Sequence, residues 1–179
     1  RSPSRGLGDV YKRQLLANAV ATGAALYFLI VSISDISGAH FNPFVTLAMY
    51  LSKRIKSQLL PVYFTAQILG CLTGVMLANF FFDYSLIELS SKSRSGINVF
   101  VSEIIATFGL IFIIFRTIKG GKVLVATSVA TFITAGYWFT SSTSFANPAV
   151  AIARTFTNTF TGINYLCLLY TSDAADDSL

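Results

Sequence analysis

Asn-Pro followed by an apolar residue and Val occurs twice in this chain, as Asn42-Pro43-Phe44-Val45 and as Asn147-Pro148-Ala149-Val150. Asn is a favoured helix N-cap because its side-chain oxygen takes up an orphan N–H, and Pro fits the first helical position, where its missing N–H costs nothing. Each motif therefore reads as the start of a helix. The segments they open, Ser37 to Met49 and Ser142 to Phe156, are too short to cross a bilayer, while longer apolar runs lie before and between them. Short broken helices at corresponding places of two halves predict a membrane pore built from an inverted repeat.

Composition agrees with a membrane setting. Hydrophobic residues make up 54% of the chain and charged residues 12%, about half the charge of a soluble domain, and mean hydropathy is +0.65. Leu15 to Ile36, Leu59 to Phe82, Val99 to Ile118 and Val123 to Thr140 are each close to or beyond the roughly 18 to 20 apolar residues that a spanning helix requires. The sequence thus predicts four spans.

The net charge of +5 matters through its placement. Lys53, Arg54 and Lys56 follow the first Asn-Pro segment, and Arg116, Lys119 and Lys122 flank the link between the third and fourth spans. The positive-inside rule puts both clusters in the cytoplasm, and the link holding Lys92 and Arg94, near Asp83 and Glu88, outside. These cations cap apolar spans and form no stripe along a face, which argues against nucleic acid as a partner. With three spans between them, the two motifs enter the membrane from opposite sides, the first from within and the second from without, both bringing positive helix ends toward the midplane.

Residues 1–14 and 167–179 continue neither apolar pattern and read as non-native tails, leaving 15–166 as the channel domain. Cys71 and Cys167 give no disulfide framework, and no metal-ligand cluster or cofactor motif is visible. One histidine, with no nucleophile and base pair and no phosphate-binding loop, leaves nothing for an enzyme to use.

Ser37-Gly38-Ala39-His40-Phe41-Asn42-Pro43-Phe44-Val45-Thr46 resembles the first signature of the aquaporin and aquaglyceroporin (major intrinsic protein) family, and Ser144-Phe145-Ala146-Asn147-Pro148-Ala149-Val150 resembles the second. The resemblance runs from about Leu15 to Ile163. It implies an all-α integral membrane fold with two half-helices meeting at the midplane, of which this chain carries a part, the family's first and last spans having no counterpart. It also implies a multi-pass location, here in a bacterial inner membrane, a homotetramer in the lipid bilayer when full length, and passive conduction of small neutral solutes. An inverted-repeat secondary transporter and a non-conducting fragment of a channel are the alternatives.

Residue by residue, the resemblance implies that Asn42 and Asn147 offer amide N–H groups to the permeant. Phe44 replaces the family's usual Ala, and its ring either shifts and narrows the pore or fills a gap in a variant core. Counting without gaps from the two Asn residues puts the selectivity filter at Thr22, Ala135, Ser144 and Val150, with Val150 where the family usually has Arg. Four small or apolar residues imply a wide opening, suited to glycerol-like polyols, urea or undissociated metalloid acids as well as water. The sequence around Ser141 to Arg154 is similar to bacterial members associated with arsenical permeation. Arg154, one turn further on, reads as an anchor of the half-helix end, the other reading being a filter group.

Further expectations concern support and packing. His40 reads as a hydrogen-bonded strut before the first cap, with a pH gate as the alternative, and Glu103 as an acceptor for backbone donors of the loop from Ser142 to Ala146. Gly70 and Gly74 predict a close helix contact. Tyr137 and Trp138, near a span end, read as interfacial anchors.

Overall fold

The computed structural model describes residues 3–94, 96–140 and 146–169, and every ordered element among them is helical. The helices are α1 (Pro3–Ser37), α2 (Pro43–Leu51), α3 (Leu60–Phe81), α4 (Ile97–Thr117), α5 (Lys122–Phe139), α6 (Pro148–Ala153) and α7 (Tyr165–Leu169). Four stretches are long and apolar enough to cross a membrane: Lys12–Ser37, Ser57–Phe81, Ile97–Gly120 and Lys122–Phe139. They coincide with the four expected spans to within a helical turn. At its N-terminal end α1 extends beyond the expected apolar run, back to Pro3.

The chain divides into two compact units. The first comprises Arg1–Ala39 and Phe108–Ser144, and its centre is the packing of α1 on α5. Leu15, Ala19 and Ile30 of α1 are buried, as are Ala126, Val129, Ala130, Ile133 and Tyr137 of α5, spaced as one face of a helix requires. Gly23 marks the closest approach, since a Cβ there would stand 2.1 Å from Thr134 Oγ1 and 3.2 Å from the Ala130 carbonyl. Thr134 Oγ1 donates to the Ala130 carbonyl (2.8 Å) and lies 3.3 Å from that of Ala19. At one end of the pair Lys122 is ion-paired with Asp35, so the C-terminal end of α1 and the N-terminal end of α5 share a side of this unit.

The second unit comprises His40–Thr107 and Phe145–Leu179. Here α2 and α6 both pack on α3 and touch one another. The buried faces are small: Val45, Thr46 and Met49 of α2, and Ala149, Ala151 and Ala153 of α6. Residues 88–92 run beside 155–164, with Glu88 N donating to the Phe156 carbonyl, Ser90 N to that of Thr155 and Asn164 N to that of Lys92. Asn79, buried at the end of α3, donates to the Leu86 and Phe156 carbonyls and accepts from Thr157 Oγ1.

Two packing expectations are corrected. Gly70 and Gly74 make no close helix contact, for nothing lies within 4 Å of a Cβ built at either position; α3 turns its buried side to α2 and α6 and leaves the glycine stripe open. Tyr137 is no interfacial anchor. Its ring is buried against α1 and its hydroxyl is spent inside the unit, whereas its neighbour Trp138 is exposed.

Candidate functional site

In the second unit the two Asn-Pro motifs build helices as the cap chemistry dictates. Asn42 sits at φ −151°, ψ 125° and Asn147 at φ −150°, ψ 104°, both extended, with Pro opening the helix behind each. Asn42 Oδ1 accepts from Phe44 N at 2.9 Å, and Asn147 Oδ1 accepts from Ala149 N at 3.1 Å and Val150 N at 3.4 Å. At 1.5 Å rise per residue α2 is about 14 Å long and α6 about 9 Å, each well short of the ~30 Å hydrocarbon layer. Neither can span.

The amide nitrogens join the motifs. Asn42 Nδ2 donates to the Ala146 carbonyl at 2.6 Å, and Asn147 Nδ2 donates to the Phe41 carbonyl at 2.8 Å. Each Asn thus holds the residue that immediately precedes the other. Phe41 at φ 50° and Ala146 at φ 34° are both left-handed, a conformation that non-glycine residues adopt at a cost and that clusters at functional sites. The pairing brings two helix N-termini face to face. Each carries about half a positive elementary charge from its aligned peptide dipoles.

Glu103 on α4 secures the second loop: its Oε2 accepts from Ala146 N at 2.5 Å. Of the loop expected to donate to Glu103, Ser142 to Phe145 lie outside the described residues, as does the filter candidate Ser144. The residue gripped by Glu103 is also the one whose carbonyl receives Asn42. A single residue carries the ionic support on its N–H and half of the clasp on its carbonyl.

Around the first motif the support is neutral. Thr46, wholly buried, donates its one hydroxyl hydrogen to the Asn42 carbonyl (3.1 Å). Its lone pairs then accept from Gln67 Nε2 (2.9 Å) and His40 Nδ1 (3.2 Å). This assigns the His40 proton to Nδ1 through the network. The imidazole stacks on Tyr63, with ring centroids 4.9 Å apart. Gln67 and Asn79 were not singled out from the sequence, although polar amides inside or closing an apolar span are the signal that finds them.

Among the filter candidates, Thr22 on α1 and Ala135 on α5 belong to the first unit, and Val150 to the second. Thr22 is half-buried with its Oγ1 3.0 Å from Tyr137 Oη; Ala135 is exposed and Val150 half-buried. Arg154, 8% exposed, closes α6 and begins a 3-10 turn, and its carbonyl accepts from Ile163 N. The two residues following Pro differ in burial: Ala149 is 1% exposed and Phe44 44%. The Phe44 ring therefore fills no interior gap. Among the described residues no group of His, Cys, Asp and Glu is placed to hold a metal ion.

Apolar helices long enough to span, and two capped half-helices clasped nose to nose, define a polytopic membrane protein of the re-entrant half-helix class. The sequence profile of the major intrinsic protein family matches residues 5–169, and the chain belongs to that family. It is 47% identical to the aquaglyceroporin AqpS of Rhizobium meliloti (strain 1021) over 149 residues, which is 83% of this chain and 64% of that protein. It is 33% identical to the probable aquaporin TIP2-2 of Oryza sativa subsp. japonica, over 60% of this chain and 44% of that one. With aquaporin NIP3-1 of Arabidopsis thaliana the identity is 36%, over 54% and 32%. The chain thus spans between about a third and two thirds of these relatives' lengths.

Proposed function

We propose that the protein is a passive membrane channel for small uncharged solutes: water, glycerol-like polyols, urea or undissociated metalloid acids. The observation that carries this reading is the reciprocal amide clasp, which fixes two positive helix ends against each other. Such ends repel a cation or a hopping proton while leaving neutral molecules free to exchange hydrogen bonds. An amide NH2 has two hydrogens, so the clasp uses one on each Asn and the second is available to a permeant. The 47% identity to a protein named an aquaglyceroporin supports the same reading. No energy source enters the mechanism.

Within this reading Thr22, Ala135, Ser144 and Val150 form the constriction, His40, Glu103 and Arg154 support it, and the working state is a homotetramer in a bacterial inner membrane. Val150 in place of a cationic residue leaves the opening wide and poor in donors, which favours solutes larger than water. Vesicle swelling with water, glycerol and arsenite as separate permeants tests this: flux of all three, independent of any ion gradient, is expected. Flux of water alone removes the wide constriction. Flux that follows an imposed ion gradient replaces the channel with a coupled transporter.

A further inference from the structure

We propose that Tyr137 is a specificity-determining positioning residue that acts through Thr22 by fixing which part of the Thr22 hydroxyl a permeant meets. The proposal rests on the reading of Thr22 as a constriction residue and goes beyond it. Thr22 Oγ1 and Tyr137 Oη lie 3.0 Å apart, and among the described residues each hydroxyl has the other as its one hydrogen-bond partner. Tyr137 is 7% exposed and Ala135, two residues earlier on α5, is exposed. Two residues turn a helix by about 200°, so Tyr137 and Ala135 belong to opposite faces of α5. Tyr137 therefore touches no solute at the Ala135 face and works through its partner.

The spacing of the pair is fixed next door. Gly23 adjoins Thr22 and lies against Thr134, three residues before Tyr137, with no room for a Cβ. That contact sets the distance between α1 and α5 at the level of the two hydroxyls. A phenol is a stronger hydrogen-bond donor than an aliphatic hydroxyl. Its hydrogen enters the shared bond and the Thr22 hydrogen is left over. Without the phenol, a helical threonine turns its hydroxyl onto the carbonyl four residues earlier, as Thr127, Thr131 and Thr134 do in α5. Tyr137 thus keeps a donor at the Thr22 position that the helix would otherwise absorb.

Tyr137→Phe removes one oxygen and keeps the ring. In vesicles containing the channel, the ratio of glycerol to water permeability is expected to fall roughly two- to tenfold, the worth of one hydrogen bond. Thr22→Val lowers it as far, the double substitution lowers it no further, and Thr22→Ser retains the ratio. If Thr22→Val lowers the ratio and Tyr137→Phe does not, Tyr137 has no such role while Thr22 keeps its own. If neither changes it, the constriction role of Thr22 fails and the proposal with it. Additive effects, or an equal fall in water and glycerol flux reporting packing damage alone, also overturn it.

Discussion

Asn42 and Asn147 each cap their own half-helix through Oδ1 and, through Nδ2, bind the carbonyl of the residue preceding the other, at 2.6 and 2.8 Å. One side chain does two jobs, and only Asn among the good caps carries its acceptor and its donors on separate atoms. Asn42→Asp keeps the cap and loses the clasp, leaving the Ala146 carbonyl without that donor and facing a carboxylate. A loss of about 1 to 3 kcal/mol is expected, read as a lower unfolding temperature in detergent and a fall in solute flux. An unchanged melting profile would show that the clasp contributes nothing to stability.

Glu103 holds the same residue through its other backbone group, by a charge-assisted bond from Ala146 N. Such bonds are roughly twice as strong as neutral ones. Glu103→Gln retains an acceptor and is expected to lower stability by about 1 kcal/mol; Glu103→Ala leaves a buried donor unmet and is expected to cost more. Equal melting temperatures for the two variants would deny the carboxylate its role.

Thr46 is the hub of the first motif, receiving Gln67 and His40 and donating to Asn42. Thr46→Val preserves shape and strands both donors, so about 1 to 3 kcal/mol is at stake. Gln67→Leu removes a donor together with an Oε1 that is buried without a partner among the described residues, and is expected to be the milder change. Thermal unfolding of the two variants side by side checks the order.

Glycines that sequence alone cannot rank separate clearly in space. A side chain at Gly23 meets Thr134 Oγ1 and the Ala130 carbonyl, whereas one at Gly70 or Gly74 meets nothing within 4 Å. Gly23→Leu is expected to part α1 from α5 and cost at least the roughly 1 to 3 kcal/mol typical of overpacking. Gly74→Ala is expected to be neutral or to stabilise by up to about 1 kcal/mol. Size-exclusion profiles in detergent report both.

On the proposed reading Val150 lines the constriction, and its amide is already committed to Asn147 Oδ1. Val150→Arg adds a charged fork without disturbing that bond. Glycerol flux is expected to fall at least tenfold with water flux reduced less, measured by stopped-flow swelling. Phe44→Ala, at an exposed ring, is expected to change solute flux without loss of stability. Equal permeabilities before and after either substitution would remove that residue from the pore.

What the sequence disclosed was carried by local chemistry. Four apolar runs set the spans, and Asn before Pro set both half-helix starts, because a cap and a fixed φ act within three residues. The bonds that tie these pieces together were less visible. Glu103 was found as a lone acid in an apolar span, yet that Ala146 donates to it depends on a left-handed turn that Ala does not advertise. Gln67 escaped notice because one amide among apolar residues gives no hint of a hydroxyl 21 positions away. Tyr137 was misjudged because its place near a span end suggested water, while the hydroxyl that satisfies it lies 115 residues away. The Gly-x-x-x-Gly spacing on α3 misled for the opposite reason: small residues permit a close neighbour and do not supply one.

Synthesis order gives the clasp a further meaning. Residue 42 leaves the ribosome 104 positions ahead of the carbonyl that its amide binds, so during insertion the first cap has to wait, provisionally solvated, until the second loop arrives. Contacts of such long sequence separation form late. The central junction is thus a lock that closes late, and a nascent chain halted anywhere before Ala146 carries an unlatched first half.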